Sequence, residues 1–171
     1  FFEEGDTHTV KPLEELMGLY YLSVGRGANL LINIGPDRRG LLPDADHAAL
    51  LAFGDEIRRR FGHPFATLAD GRLTATGWEY SAADPFYLDH VMMQEDLQQG
   101  EAVRHFAIHV QTSPRGPLLT IYEGRNIGHK ALCRFPLVAC RKVVVEITAA
   151  DRPVTLRSVT LHNTTGLRHQ H

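Results

Sequence analysis

The sequence predicts an α/β segment followed by an all-β one, an antiparallel β-sandwich. Three observations carry that expectation. Helical periodicity is confined to residues 1–62, where it brackets one continuous apolar run at 29–35. Strand-like segments separated by Gly, Pro and Asp turns fill residues 63–171. The pattern changes at Gly62-His63-Pro64, which places a domain boundary between 1–62 and 63–171.

Pro12 suits the first position of a helix, and Glu14 and Glu15 fall in its first turn, where negative charge is favoured. Leu13, Leu16, Met17, Tyr20 and Val24 recur at the spacing of one helical face, and Gly25 and Gly27 stop the run. "NLLINIG", residues 29–35, reads as a short strand covered on both faces. Residues 36–40 make a polar turn, and Asp44 and Asp46 open a second helix. There Leu50, Phe53, Gly54, Ile57 and Phe61 share one face, and Gly62 ends it. Helix, strand, loop, helix is about one and a half βα units. A parallel strand needs parallel neighbours, and no other segment of the first half offers one, so this strand is expected to be an orphan.

In the second half, strands are expected at 87–95, 103–112, 118–123, 142–149 and 154–162. Alternation is clearest in "KVVVEITA", where Val143, Val145 and Ile147 point one way and Val144, Glu146 and Thr148 the other. "TSPRGP" and "AADRP" are the strongest turn signals, and short strands at this spacing indicate a sandwich.

The 171 residues are 43% hydrophobic and 22% charged, an ordinary globular balance. A net charge of -2 argues against a nucleic-acid partner, and Arg58-Arg59-Arg60 reads as a solvated helix end. No apolar run is long enough for a membrane-spanning helix, so no membrane partner is expected. The start "FFEEGDTHTV" has neither the basic flank nor the apolar stretch of a signal peptide, and Phe1-Phe2 suggests a beginning inside a structured element. Cys133 and Cys140 are too few for a disulfide framework; buried thiols are expected, with a pairing left open. Composition does not fix the compartment.

Candidate chemistry is sparse. The GxG of "VGRGAN" leaves a helix for a strand, the opposite polarity to a phosphate-binding loop. His105 and His109 have the spacing of metal ligands on a helix. On a strand, however, they stand about 13 Å apart at ~3.3 Å per residue, too far for one ion. His169 and His171 lie in a polar tail. No metal site and no cofactor are expected. Asp37 follows the buried run and has three readings: a catalytic carboxylate, an active-site loop residue without chemical duty, or a turn Asp bonded to its own backbone. Glu3, Glu4 and Asp6 raise the same question.

"LEELMGLYYLSVGRGANLLINIGPDRRGLL" resembles the closing segment of the catalytic barrel in α-L-fucosidases of glycoside hydrolase family 29. The match runs through Ser23-Val24-Gly25-Arg26, Asn29-Leu30-Leu31, Asn33, Pro36-Asp37-Arg38-Arg39-Gly40, and Leu50 with Phe53-Gly54. It departs at Gly27-Ala28 and at Ile32, where Leu is usual. The second half resembles the C-terminal β-sandwich of those enzymes. There Val91 with Gln94-Glu95, Gly100 with Val103 and Phe106, Gly124 with Ile127-Gly128 and Lys130, and Lys142-Val143 with Ile147 fall in order. "DGRLTATGW" is a looser match to the opening of that sandwich.

The resemblance implies a C-terminal fragment of a (β/α)-barrel followed by a discoidin-like sandwich, from a retaining hydrolase of α-L-fucosides. Its Asp nucleophile and Glu acid/base would lie before the matched segment, so no catalytic residue is assigned here, and the chain alone should be inactive. The implied substrate-binding residues are Phe1 and Phe2, at a stretch whose aromatics line the fucose pocket, and Asp37, Arg38 and Arg39 on the active-site rim. Glu3 stands where the family has His. The rim sequence looks more like the branch acting on α-1,3/1,4-linked fucosides. The implied partners are a fucosylated oligosaccharide and the N-terminal barrel portion, or another chain that complements it. Two rivals remain. One is a non-catalytic sugar-binding sandwich using Trp78, Tyr80, Phe86 and Tyr87; the other is a subunit that completes a barrel supplied by another chain.

Overall fold

The computed structural model describes residues 10–167. Helix α1 (Leu13–Leu22) follows Pro12, with Glu14 and Glu15 in its first turn. Ser23 closes it. The Ser23 amide and hydroxyl both donate to the Leu19 carbonyl, at 2.9 and 2.6 Å. A single 3-10 turn, Val24–Arg26, then ends on Gly27 in the left-handed region (φ 82°). Helix α2 (Asp44–Phe61) begins with Asp44 and Asp46 and ends with Arg58, Arg59 and Arg60. Those arginines pair with Asp55 and Glu56 one turn back, which accounts for the basic run without an external anion.

The apolar run at 29–35 is not a strand. It has no ladder partner among the described residues, because a strand is defined by its neighbours and the first half supplies none. The two-sided alternation of an extended chain persists all the same. Leu30 and Ile32 pack toward the helices, while Leu31 is 92% exposed.

The rest is one antiparallel sheet of β1 (Ala66–Thr67), β2 (Arg72–Thr74), β3 (Gly77–Glu95), β4 (Val103–Gln111), β5 (Leu119–Gly124), β6 (Ala131–Ala150) and β7 (Leu156–His162). Its order is β1-β7-β3-β6-β4-β5, with β2 folded back on β3. All seven strands are hydrogen-bonded into one continuous ladder. Strands β3 and β6 run through both ends of it, pairing with β7 at one end and β4 at the other. Each also breaks register: β3 between Ser81 and Phe86, against Lys142 and Cys140, and β6 between Arg134 and Val138, against His90 and Leu88. Such bulges let a long strand bend over its own core. Accordingly, Trp78, Ile108, Val143 and Val145 share one buried cluster with Val91, Met93, Val159 and Leu161.

Trp78 is fully buried and its indole N–H donates to the Leu68 carbonyl at 3.0 Å. It is therefore a core residue and not an exposed sugar-stacking platform. Its packing also explains Gly71, where a Cβ would come within 2.4 Å of the indole. The helices form a second cluster. Tyr20 stacks on Phe61 and meets Phe53 edge-on, and with Leu16 and Met17 they cover Leu132 and Met92 of the sheet.

Candidate functional site

The loop at 36–40 is organised by Asp37. Its Oδ1 accepts the amides of Arg39 (2.8 Å) and Leu41 (3.0 Å), and its Oδ2 accepts Arg39 Nε (2.8 Å). The Asp37 amide in turn donates to the Leu41 carbonyl, at 2.8 Å. The Arg39 guanidinium, helped by the Leu41 amide, holds the Asp37 carboxyl below the usual carboxylate range. Both oxygens are thus committed to the turn. Asp37 shapes the loop, Arg39 is its clamp, and the exposed Arg38 makes no ion pair among the described residues. Phe1 and Phe2 lie outside the described residues, as do Glu3, Glu4, Asp6, His169 and His171.

A second polar cluster, not foreseen from the sequence, is buried where the helices meet the sheet. His90 is 2% exposed; its Nδ1 lies 2.8 Å from Asp89 Oδ1, and its Nε2 lies 2.8 Å from the Tyr21 hydroxyl. With the Nδ1 proton donated to Asp89, Nε2 accepts from Tyr21, whose oxygen accepts Arg60 Nη1 at 3.2 Å. Glu56 accepts Arg60 Nε at 2.6 Å, and its carboxyl is held down at about 2 by Arg59 and Arg60. Asp89 also accepts the Thr164 amide and hydroxyl. Burial opposes its ionisation, but the hydrogen bonds from His90 and Thr164 together outweigh it, and its pKa is lowered.

The order carboxylate, imidazole, hydroxyl resembles a nucleophile-activating relay. Here the hydroxyl is already occupied by Arg60 and the imidazole is sealed between Tyr21 and Phe61. The cluster fastens α1 and α2 to β3. The one sequence signal was an adjacent Asp-His inside an otherwise apolar strand, Asp89-His90.

The recurring motifs of the second half interlock at the C-terminal end of β3, five residues beyond His90. Glu95, buried, accepts the Ala102 amide (2.6 Å) and the Gly128 amide (3.0 Å), and Gln94 donates to the His129 carbonyl (3.0 Å). Gly128 sits at φ 56°, with Glu101 where a Cβ would go, and Gly124 leaves room for the Phe106 ring. These residues hold loops together. His105 bonds Thr148, whereas His109 bonds Thr120 and Glu146, so the two histidines are separately engaged. Cys133 and Cys140 are buried free thiols; burial pushes Cys140 up to about 12 and Cys133 further. Among the described residues no group of three or more His, Cys, Asp or Glu is placed to hold a metal ion.

No family model matches the chain. A rice protein assigned as alpha-L-fucosidase 1 (Oryza sativa subsp. japonica) is 25% identical over 169 residues, covering 79% of this chain and 32% of its own. Among solved structures, one assigned as an α-L-fucosidase of Bacteroides ovatus superposes with a TM-score of 0.83 at 30% identity. It covers all of this chain and 30% of its own. Another, from Bacteroides thetaiotaomicron, gives 0.86 at 27% identity over 95% of this chain and 37% of its own. A glycoside hydrolase 29 family member from an unknown rumen bacterium shares the fold, with a TM-score of 0.84 at 22% identity over 98% of this chain and 31% of its own. The chain spans about a third of the length of these relatives. Its resemblance to family 29 α-L-fucosidases therefore extends over nearly all of it, a coverage consistent with a C-terminal portion of such an enzyme.

Proposed function

We propose that this chain, similar over nearly its whole length to α-L-fucosidases, is the C-terminal part of a retaining exo-α-L-fucosidase acting on terminal α-L-fucosyl linkages of glycans. In this reading residues 1–62 are the end of a (β/α)-barrel and 63–171 a discoidin-like sandwich buttressing it. The nucleophile and acid/base carboxylates come from barrel residues that this sequence does not contain. Hydrolysis then runs through a covalent fucosyl-enzyme, with the loop at 36–40 on the rim and Arg38 reaching toward the aglycone.

The observation that carries the reading is the segment at 29–35. Its inner side packs through Leu30 and Ile32, while Leu31 and Asn33 face solvent and no neighbouring strand is present among the described residues. A barrel supplies two neighbouring strands and a covered outer face. The same observation suits a barrel furnished by a separate chain. The decisive experiment mixes this chain with the N-terminal barrel portion of a relative and assays hydrolysis of an aryl α-L-fucoside. Activity in the mixture and none in either part is expected. Hydrolysis by this chain alone, or a folded mixture without activity, refutes the proposal.

A further inference from the structure

Two motifs far apart in sequence deliver their cations to one cleft. Arg26 closes the 3-10 turn after α1, and Lys130 precedes β6. The turns meet at Gly27, where a Cβ would lie 3.4 Å from the Lys130 carbonyl and 3.5 Å from its amide. The cleft they line has a volume of about 630 Å³, within the ~300–1,000 Å³ typical of ligand pockets. Arg125 and Arg134 complete the wall, and Glu123 is the one carboxylate on it. Among the described residues none of these four cations makes an ion pair, although the chain as a whole is net acidic.

The wall is held in place from behind. Gln94 and Glu95 pin the loop that carries Lys130 through the His129 carbonyl and the Gly128 amide. Arg134 lies over the Tyr21 ring, 5.6 Å from its centroid. Positioned, unneutralised cations around a cavity are a site for a ligand of opposite charge.

We propose that this cleft binds an acidic saccharide bearing sulfate or carboxylate groups. The cleft shares no lining residue with the loop at 36–40, so the two are separate sites. The saccharide class rests on the fucosidase reading; the convergence of cations does not. The cleft would let an enzyme hold one part of a charged glycan while another part is processed.

The test is calorimetric titration of the 171-residue chain with a sulfated heparin disaccharide, an unsulfated hyaluronan disaccharide, lactose and inorganic sulfate. At least one acidic disaccharide should bind about tenfold tighter than lactose or sulfate, and which one does so distinguishes sulfate from carboxylate recognition. Arg26→Gln combined with Lys130→Gln should weaken it by about tenfold or more, and Lys130→Arg should retain it. Arg157→Gln, a surface change on β7, should leave it unaltered. Melting temperatures of the variants guard against loss of fold. Equal affinity for inorganic sulfate means an adventitious ion only and overturns the proposal. So does tighter binding of a short single-stranded oligonucleotide, or the absence of binding by either acidic disaccharide. None of these outcomes affects fucoside hydrolysis by the reassembled enzyme, so the two readings fail separately.

Discussion

His162 should make this fold acid-sensitive well above the carboxylate range. Its side chain is 1% exposed, its Nε2 lies 2.8 Å from Thr160 Oγ1, and its Nδ1 has no hydrogen-bond partner. Burial, reinforced by the neighbouring His90, depresses its pKa from 6.5 to about 4, against the opposing pull of Asp89 and the Arg60 backbone. The unfolded chain therefore takes up a proton before the folded one does. The stabilisation is complete above pH 6.5 and is lost as pH falls toward 4. At ~1.4 kcal/mol per pH unit, that interval removes about 3 kcal/mol, most of it by pH 4.5. Urea unfolding at pH 7.5, 6.5, 5.8 and 5.2 would measure the loss, above the range where Asp89 and Glu56 add theirs. His162→Gln, which cannot titrate, should flatten the curve by about 2 kcal/mol over the same range. An unchanged slope in that variant would falsify the assignment of the acid sensitivity to His162.

Leu31→Asp should leave the urea midpoint of this chain almost unchanged, because the side chain is 92% exposed, yet abolish activity regained with a barrel portion; retained activity would contradict a covered outer face. Tyr21→Phe removes the hydroxyl shared by His90 and Arg60 and should cost about 1–3 kcal/mol in chemical denaturation, where a loss within error would show the network to be dispensable. Gly124→Ala would place a methyl within 2.4 Å of the buried Phe106 ring and should cost about 1–3 kcal/mol, measurable as a lowered melting temperature. Asp37→Ala frees the Arg39 and Leu41 amides and should speed their hydrogen exchange while global stability changes by less than about 1 kcal/mol; unaltered exchange would mean the turn forms without its clamp.

The helices were legible because their signals are local. Acidic first turns, a 3.6-residue stripe and terminal glycines are all written within the helix itself. The long strands were read at half their length for an equally physical reason. Strand β3 begins at Gly77 rather than near Tyr87, and β6 begins at Ala131 rather than near Lys142. Asp84-Pro85 and Pro136 look like turns in sequence, and both fall in register breaks, where a proline costs the ladder no hydrogen bond. The run at 29–35 misled in the opposite direction. Its hydrophobicity specifies a strand, but pairing is a property of neighbours that residues 10–167 do not provide. At residues 36–40 the sequence singled out Asp37 but not its partners, because which atoms its two oxygens meet is set only by the folded loop. The buried Asp89-His90-Tyr21 cluster left almost no trace, since its members lie on α1 and β3, far apart in the chain.

The shared strands β3 and β6 also set the order in which the protein can be made. Their pairs, from Met93 with Ala131 out to Gly77 with Glu146, close loops of roughly 40 to 70 residues, so the ladder is slow to nucleate. Strand β4 waits for the same late partner. At ribosomal speeds of ~5–20 residues per second, the apolar faces of β3 and β4 stand uncovered for seconds before β6 emerges. A chain interrupted before Ala131 would hold β3 and β4 and lack β6, the strand between them. In that interval the uncovered apolar strands are open to aggregation.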